Sequence, residues 1–524
     1  MKSNFFNRLF LLVIFAAGLE ASLSGQKVDS VFLDQVDQLV EEWDRNSPGG
    51  AVGIMSEGEL VYERYVGLAN LETKEAFSEN TLSDIGSISK QFTACLIAIL
   101  EEEGKLSIED GIREYLPEFP PYADPIKVKH LIFHTSGIKD YEALESLQGK
   151  HYFGEHMTNE YVLTLISRQK TLNFPPGSTY EYSNSNYILL AQIVARVSGK
   201  TLNEFAKEKI FEPLGMDNTF FHINQGEDFS HRAIGYQSSS EGYSRPIYES
   251  HLVGDGGIFT TLSDLAKWDQ NFYHNRLGKG NPSLIKRMGY RDTLKSGILS
   301  NVAFAQFYTS HPFGENSWSH GGSGGGYRSF YIRFEEARFS VIVLSTTDQK
   351  NAFSLANEIT QLFFQYKPSK PEPLANEVGE KEATDFIPDN QLMIARLNGY
   401  YYDETEIGVL NIRFDPQKKH FIVDWTTNQD GGYVALPISP NILAEQADLS
   451  FTYRLDEATN RLHHSEGDKL IRSWQKLAPP TFPASHFKGS YYSEEIDHQI
   501  LVEVKEGKLT SDTLLSASNS GFSE

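Results

Sequence analysis

The sequence predicts an α/β fold: an antiparallel sheet flanked by helices, with a helical subdomain in its middle, followed by a small all-β, barrel-like domain. Three observations predict it. Apolar β-type runs lie at both ends of residues 27–366. Between them the apolar periodicity is helical. Beyond residue 390 it gives way to short alternating stretches roughly ten residues apart.

Residues 1–25 read as a signal peptide. Lys2 and Arg8 supply the positive region, 9–19 an apolar run, and Ala21, Ser22, Ser24 and Gly25 small residues suited to cleavage. That run is well short of the roughly 20 residues a bilayer span needs. An uncleaved N-terminal anchor is the alternative. No later segment is long and apolar enough to span, so the expectation is a periplasmic or secreted protein with no stable membrane span after signal cleavage.

The unit 27–366 opens with a helix near 31–45 and strands at 51–55 and 60–67, with Glu57-Gly58 as their hairpin turn. A second strand pair, 327–334 and 339–345, is joined around 335–338, and a helix at 352–364 closes the unit. Strand pairs at both ends predict one sheet built from both termini, with helical layers and loops between. Residues 367–390, rich in Pro, Glu, Lys and Asn, read as a linker. In 391–478, strands at 399–402, 409–414, 420–425, 433–436, 449–455 and 469–474 predict a small antiparallel barrel or sandwich. Residues 485–524 read as a partial β repeat or tail, because 487–494 resemble 397–404. Either these strands complete the first barrel or the chain is truncated. From Ser516 onward it looks unstructured.

Charge narrows the partners. With 70 acidic against 47 basic residues the formal net charge is −23, which repels phosphate backbones and argues against nucleic acid. The single cysteine, Cys95, makes no internal disulfide or cysteine-rich zinc site. It falls in an apolar helical pattern and reads as a packed side chain. No His/Glu cluster has metal-ligand spacing and no glycine loop fits a phosphate, so neither metal nor cofactor is implied.

Three segments carry possible chemistry. The first is Ser87-Ile88-Ser89-Lys90, where serine and lysine stand one helical turn apart on one face. The same spacing recurs at Ser24, Ser136, Ser167, Ser283, Ser473 and Ser485, so spacing alone selects nothing. Context does: Gly86 precedes, and Phe92, Cys95, Leu96, Ile99 and Leu100 recur at helical spacing up to Gly104. Ser87 thus sits at the first turn of a buried helix, where the macrodipole favours a developing alkoxide. A simple capping serine is the competing reading.

The second segment is Tyr182-Ser183-Asn184, between the turn Pro175-Pro176-Gly177 and an apolar helix at 188–197. A tyrosine hydroxyl near a lysine relays protons, and an asparagine amide holds both a lysine and a substrate amide. A capping Ser-Asn pair beside a core tyrosine is the alternative. The third is His320-Gly321-Gly322, followed by Ser323-Gly324-Gly325-Gly326 and the strand from Tyr327. Glycine lets a substrate backbone lie against a strand edge, where a donor completes an oxyanion hole. A flexible glycine loop is the plain alternative.

Together and in this order, Ser-x-x-Lys, Tyr-x-Asn and His-x-Gly resemble the penicillin-recognising serine hydrolases. That family holds class C β-lactamases, DD-carboxypeptidases, D-aminopeptidases and some esterases. His134-Thr135-Ser136-Gly137 and the run from Gly256 to Thr261 agree with it. The resemblance covers about residues 30–366 and implies a β-lactamase/transpeptidase-like fold. It implies Ser87 as nucleophile, Lys90 and Tyr182 as its activating pair, and Asn184 as a substrate-holding residue. His320 and Gly322 then line the site, and the N–H groups of Ser87 and Ser323 form the oxyanion hole. One such donor is worth about 3 kcal/mol of transition-state stabilisation. The implied reaction is two-step acyl transfer on a small peptide, ester or β-lactam, with Lys90 or Tyr182 as base. Class C enzymes carry Lys-Thr-Gly where this chain has His320-Gly321-Gly322, a departure toward peptidase-like members. The rival expectation is an inactive relative of this fold that binds peptide or cell wall.

Overall fold

Six strands form one antiparallel sheet, and in its central strands alternate residues find a core on opposite faces. They are β1 (Gly50–Ser56), β2 (Glu59–Val66), β3 (Phe307–Ser310), β4 (Asn316–Gly324), β5 (Tyr327–Phe334) and β6 (Phe339–Ser345). Their spatial order is β3-β4-β5-β6-β1-β2, so the two ends of the unit meet at β6 against β1. All seven residues of β6 are buried, as a strand covered on both faces requires. Val341 and Val343 face one cluster, Ile342 and Leu344 the other. This chain is described as a computed structural model that covers residues 28–365 except Glu42, Tyr152, Gln225 and Pro312, and beyond them Leu397 and the strands named below. The expected signal peptide 1–25, the expected linker 367–390 and the tail from Ser516 lie outside the described residues. Among those residues no helix is long and apolar enough to cross a membrane.

The outer layer is made by α1 (Ser30–Glu41) and a helix at Ala352–Phe363. Phe32 and Phe363 close onto Phe339, whose ring stacks on Phe363 at 3.7 Å with 4° between planes. Phe339 is fully buried. Phe339→Ala should therefore cost about 3–5 kcal/mol through lost transfer energy and a residual cavity. Urea unfolding reads this, and a loss below about 1 kcal/mol would contradict the packing. The helix expected to reach residue 45 stops at Glu41. Asp44 Oδ1 accepts the Asn46 N–H at 2.9 Å and Ser47 Oγ donates to the Asp44 carbonyl at 2.8 Å, a local turn that competes with helix.

The other face carries the helical subdomain. Its central helix, α2 (Ser89–Glu102), is buried at every position from Ser89 to Leu100. It packs on α3 (Asn184–Ser198), which is buried from Ser185 to Ala191 and again at Ile193 and Val194. A helix hydrophobic all round belongs in an interior. Cys95 lies in that core, where burial pushes its thiol upward, so it is a packing residue. The sheet, α2 and α3 place the three chemical segments.

The chain divides into two compact units, one formed chiefly by residues up to 366 and the other chiefly by 367–490. In the second, eight strands close a barrel: Gly399–Asp403, Glu406–Asp415, His420–Trp425, Tyr433–Ser439, Ile442–Glu445, Phe451–Asp456, Arg461–Glu466 and Lys469–Lys476. The first strand pairs with the last through Tyr401↔Lys476 and Tyr402↔Gln475. Ile412, Phe421, Val423, Leu443, Tyr453, Leu455 and Leu462 fill it. Ile442–Glu445 and Arg461–Glu466 carried no readable strand signal, the one being short and the other mostly polar. The final strands Gly489–Ser493, His498–Lys505 and Lys508–Ser511 form a sheet of their own. The barrel closes without them.

Candidate active site

Ser87 lies in a 3₁₀ turn, Gly86–Ile88, that runs directly into α2. Gly86 holds φ +50°, and a Cβ there would come within 2.6 Å of the Ser323 nitrogen. A Cβ on Gly322 would lie 1.9 Å from the Ile85 carbonyl oxygen. Only glycine lets β4 press this closely on the turn. Ser329, paired with Gly322 across the sheet, pins the contact by donating to the Ile85 carbonyl at 2.8 Å. The Ser323 amide is thereby brought against the Gly86-Ser87 peptide. His320-Gly321-Gly322 is regular strand rather than a flexible loop.

One helical turn on, Lys90 is completely buried. Its Nζ donates to Ser87 Oγ at 2.9 Å, Asn184 Oδ1 at 2.7 Å and the Asp255 carbonyl at 2.6 Å. These account for all three N–H groups of an ammonium. Burial lowers its pKa to about 8, against the opposing charges of Asp255, Glu142 and Asp140. Asn184 opens α3 and its amide is held at both ends: Oδ1 by Lys90 and Nδ2 by Glu142 Oε1 at 3.0 Å. Its backbone N–H donates to Asp140 Oδ2 at 2.5 Å. Ser183 takes the N-cap position without a side-chain capping bond, so the segment is not a simple helix cap.

The Tyr182 hydroxyl lies near the Ser87 side chain, and burial pushes its phenol well above the ordinary value. Lys90 Nζ stands 5.1 Å from its ring centroid. His134 also supports the ring, stacked on Tyr182 at 4.3 Å and 26°. His134 holds φ +54° and its Nδ1 accepts the Ser183 N–H at 3.1 Å. Burial, with Lys90 nearby, keeps that imidazole well below its ordinary pKa and therefore neutral.

His320 lies 6.3 Å from the Tyr182 ring, centroid to centroid, and is 4% exposed. Its Nδ1 meets the Gly321 carbonyl at 2.6 Å. A carbonyl only accepts, so Nδ1 carries the proton and Nε2 is left as an acceptor. Burial first, then Lys90, lower its pKa to about 3, so His320 is neutral.

All seven residues singled out in the sequence (Ser87, Lys90, Tyr182, Asn184, His320, Gly322 and Ser323) thus fall around one hydroxyl. The sequence reading did not select Asp140, Glu142 or Asp255. Tyr141 donates to Asp255 Oδ2 at 2.8 Å, which anchors the loop whose carbonyl holds Lys90. The run Gly254-Asp255-Gly256-Gly257 was the only local hint of that close approach. His134 figured only as part of an agreeing motif. A separate groove of about 760 Å³, lined by residues including Arg276, Lys286, Trp318 and Arg333, contains none of these groups. Its Arg333 already has Glu335 at 3.6 Å.

Known proteins share this sequence family and fold. Penicillin-binding protein 4* of Bacillus subtilis (strain 168) is 29% identical over 325 residues, 59% of this chain and 70% of its own. A D-aminopeptidase of Gluconobacter oxydans (strain 621H) is 29% identical over 303 residues, 57% of this chain. The chain spans 55% of that relative's length. Among solved structures, the octameric penicillin-binding protein homologue from Pyrococcus abyssi superposes with TM-score 0.58 at 22% identity. It covers 84% of this chain and 98% of its own. The D-amino acid amidase from Ochrobactrum anthropi SV3 gives 0.54 at 19% identity, over 64% and 98%. At such identities the superpositions establish the shared fold. Residues 32–363, more than half of the sequence, match the family model described as Beta-lactamase, and the chain belongs to that family.

Proposed function

We propose that this protein is a serine hydrolase that cleaves an amide or ester through an acyl-enzyme on Ser87. The observation that carries the reading is the 2.9 Å hydrogen bond between Lys90 Nζ and Ser87 Oγ, made by a lysine whose burial favours the free amine. In that form Lys90 accepts the Ser87 proton as Oγ bonds to the substrate carbonyl carbon. The new oxyanion turns to the amides of Ser87 and Ser323. Tyr182, a neutral phenol beside Ser87, gives its proton to the departing amine or alkoxide and takes in return the one Lys90 received, so both groups regain their starting forms. Water then repeats the sequence on the acyl-enzyme and restores Ser87. A fluorophosphonate probe tests this: the expected adduct maps to Ser87, and a well-folded sample that takes no label there overturns the reading.

Within this reading the preferred acyl donor lacks a carboxylate beside the scissile bond. His320 offers a neutral ring with an acceptor nitrogen, not a cation, where a carboxylate would need one. The relatives named D-aminopeptidase and D-amino acid amidase support a D-amino-acid amide or peptide as the substrate class. kcat/KM for D-alanine amide or a simple ester is expected to exceed that for benzylpenicillin by about a hundredfold, since an unmatched buried charge costs several kcal/mol. Equal or faster penicillin turnover would sink this preference.

A further inference from the structure

A pair of residues outside the three motifs joins the two halves of the oxyanion site. Asp84 is 1% exposed and uses both carboxylate oxygens. Oδ1 accepts the Gly86 N–H at 2.7 Å, immediately before Ser87. Oδ2 accepts the Tyr248 hydroxyl at 2.6 Å. Tyr248 comes from a distant irregular segment tied down immediately after it. The Glu249 N–H donates to the Phe153 carbonyl at 2.8 Å and the His251 N–H to the Met157 carbonyl at 2.7 Å. The Phe153 ring meets Tyr248 edge-on at 4.9 Å.

The Tyr248 ring presses on the turn that follows Ser323. A Cβ on Gly325 would lie 2.4 Å from Tyr248 Cγ, and one on Gly324 would lie 3.7 Å from its hydroxyl. A single side chain thus grips the nucleophile turn through its hydroxyl and the end of β4 through its ring. The Ser87 amide lies on the first and the Ser323 amide on the second.

We propose that Asp84 and Tyr248 are positioning residues that set the spacing between the backbone amides of Ser87 and Ser323. This rests on the hydrolase reading given above. Neither side chain touches the reacting atoms. Their effect belongs to the transition state alone, because the oxyanion that needs both amides exists only after attack.

The test is steady-state hydrolysis of D-alanine amide or p-nitrophenyl acetate by the full chain, with kcat divided by the concentration of fluorophosphonate-titrated Ser87. Tyr248→Phe keeps the ring and removes the hydroxyl. Its kcat per titrated site is expected to fall about tenfold to a hundredfold, in line with donors displaced by a fraction of an ångström, while KM stays within about twofold. Asp84→Ala should lose as much, and Asp84→Asn should recover most of the rate, since its Oδ1 still serves Gly86 and its amide meets Tyr248. The double variant Tyr248→Phe/Asp84→Ala should be no slower than the worse single one. A purely structural role would lower the titratable fraction and the thermal midpoint but leave the per-site kcat alone. A labelled, active wild type with Tyr248→Phe within twofold of it per site overturns the clamp and leaves the hydrolase reading standing. A wild type in which Ser87 takes no label ends both.

Discussion

Replacing Ser87 with alanine should cut hydrolysis of a D-amino-acid amide by at least about 10⁴-fold while moving the thermal midpoint by no more than about 2 °C. The rate loss follows from removing the only atom in the proposed reaction that bonds to the substrate carbonyl; what survives is binding and oxyanion stabilisation without a nucleophile. The small stability change follows from what Ser87 touches. It is half-buried, and the substitution deletes one oxygen without leaving a cavity of methylene size. Lys90 keeps Asn184 Oδ1 at 2.7 Å and the Asp255 carbonyl at 2.6 Å, so its ammonium is not stranded. The check is a rate measured beside a melting curve on one preparation. Activity within tenfold of wild type, with folding intact, would remove Ser87 from the chemistry and the acyl-enzyme with it.

The parts of this fold that were legible are those where one residue's neighbours decide its place. Strands at 327–334 and 339–345 announce themselves because both faces are covered and aromatic and β-branched residues dominate them. The buried helix after Ser87 shows for the same reason. Ser87 and Lys90 were legible because a helical turn fixes their distance. Tyr182, Asn184 and His320 were legible only as an ordered set of motifs, since nothing local says that residues 95 or 233 positions from Ser87 share its pocket. The charges that tune the site were not legible. Asp140 and Glu142 look like ordinary surface acids in the sequence, and Asp84 and Asp255 like loop residues. Their roles come from segments distant in sequence, among them a short helix capped by Asp140, that fold back on α2 and α3. The same holds for Tyr248, whose partner Asp84 lies 164 residues away. In the barrel, Arg461–Glu466 escaped notice because its strand is specified by closure against Phe451–Asp456 and Lys469–Lys476 rather than by its own composition.

The pH profile should separate the two candidate bases, with the second-largest loss attached to Lys90. In the folded chain Lys90 titrates near 8 instead of 10.5, because burial disfavours its ammonium more than Asp255, Glu142 and Asp140 favour it. The free amine is the base form, so kcat/KM, which reports groups of the free enzyme, should rise with pH to a plateau with a midpoint near 8. Tyr182 as base predicts otherwise: its phenol is pushed up from 10.0, so the rise would continue past pH 10 without a plateau. Lys90→Arg, always protonated, should be about 10³-fold slower and show no such rise. The same lysine carries a stability signature of defined sign. Its folded pKa is below its unfolded one, so burying it opposes folding by roughly 3 kcal/mol below pH 8, and the opposition fades between pH 8 and 10.5. Across that window the unfolded chain binds the extra proton, so this contribution makes stability rise with pH. Lys90→Met should abolish both the kinetic rise and this stability rise together. If the kinetic midpoint near 8 persists in Lys90→Met, the titrating group is another residue and Lys90 is not the base.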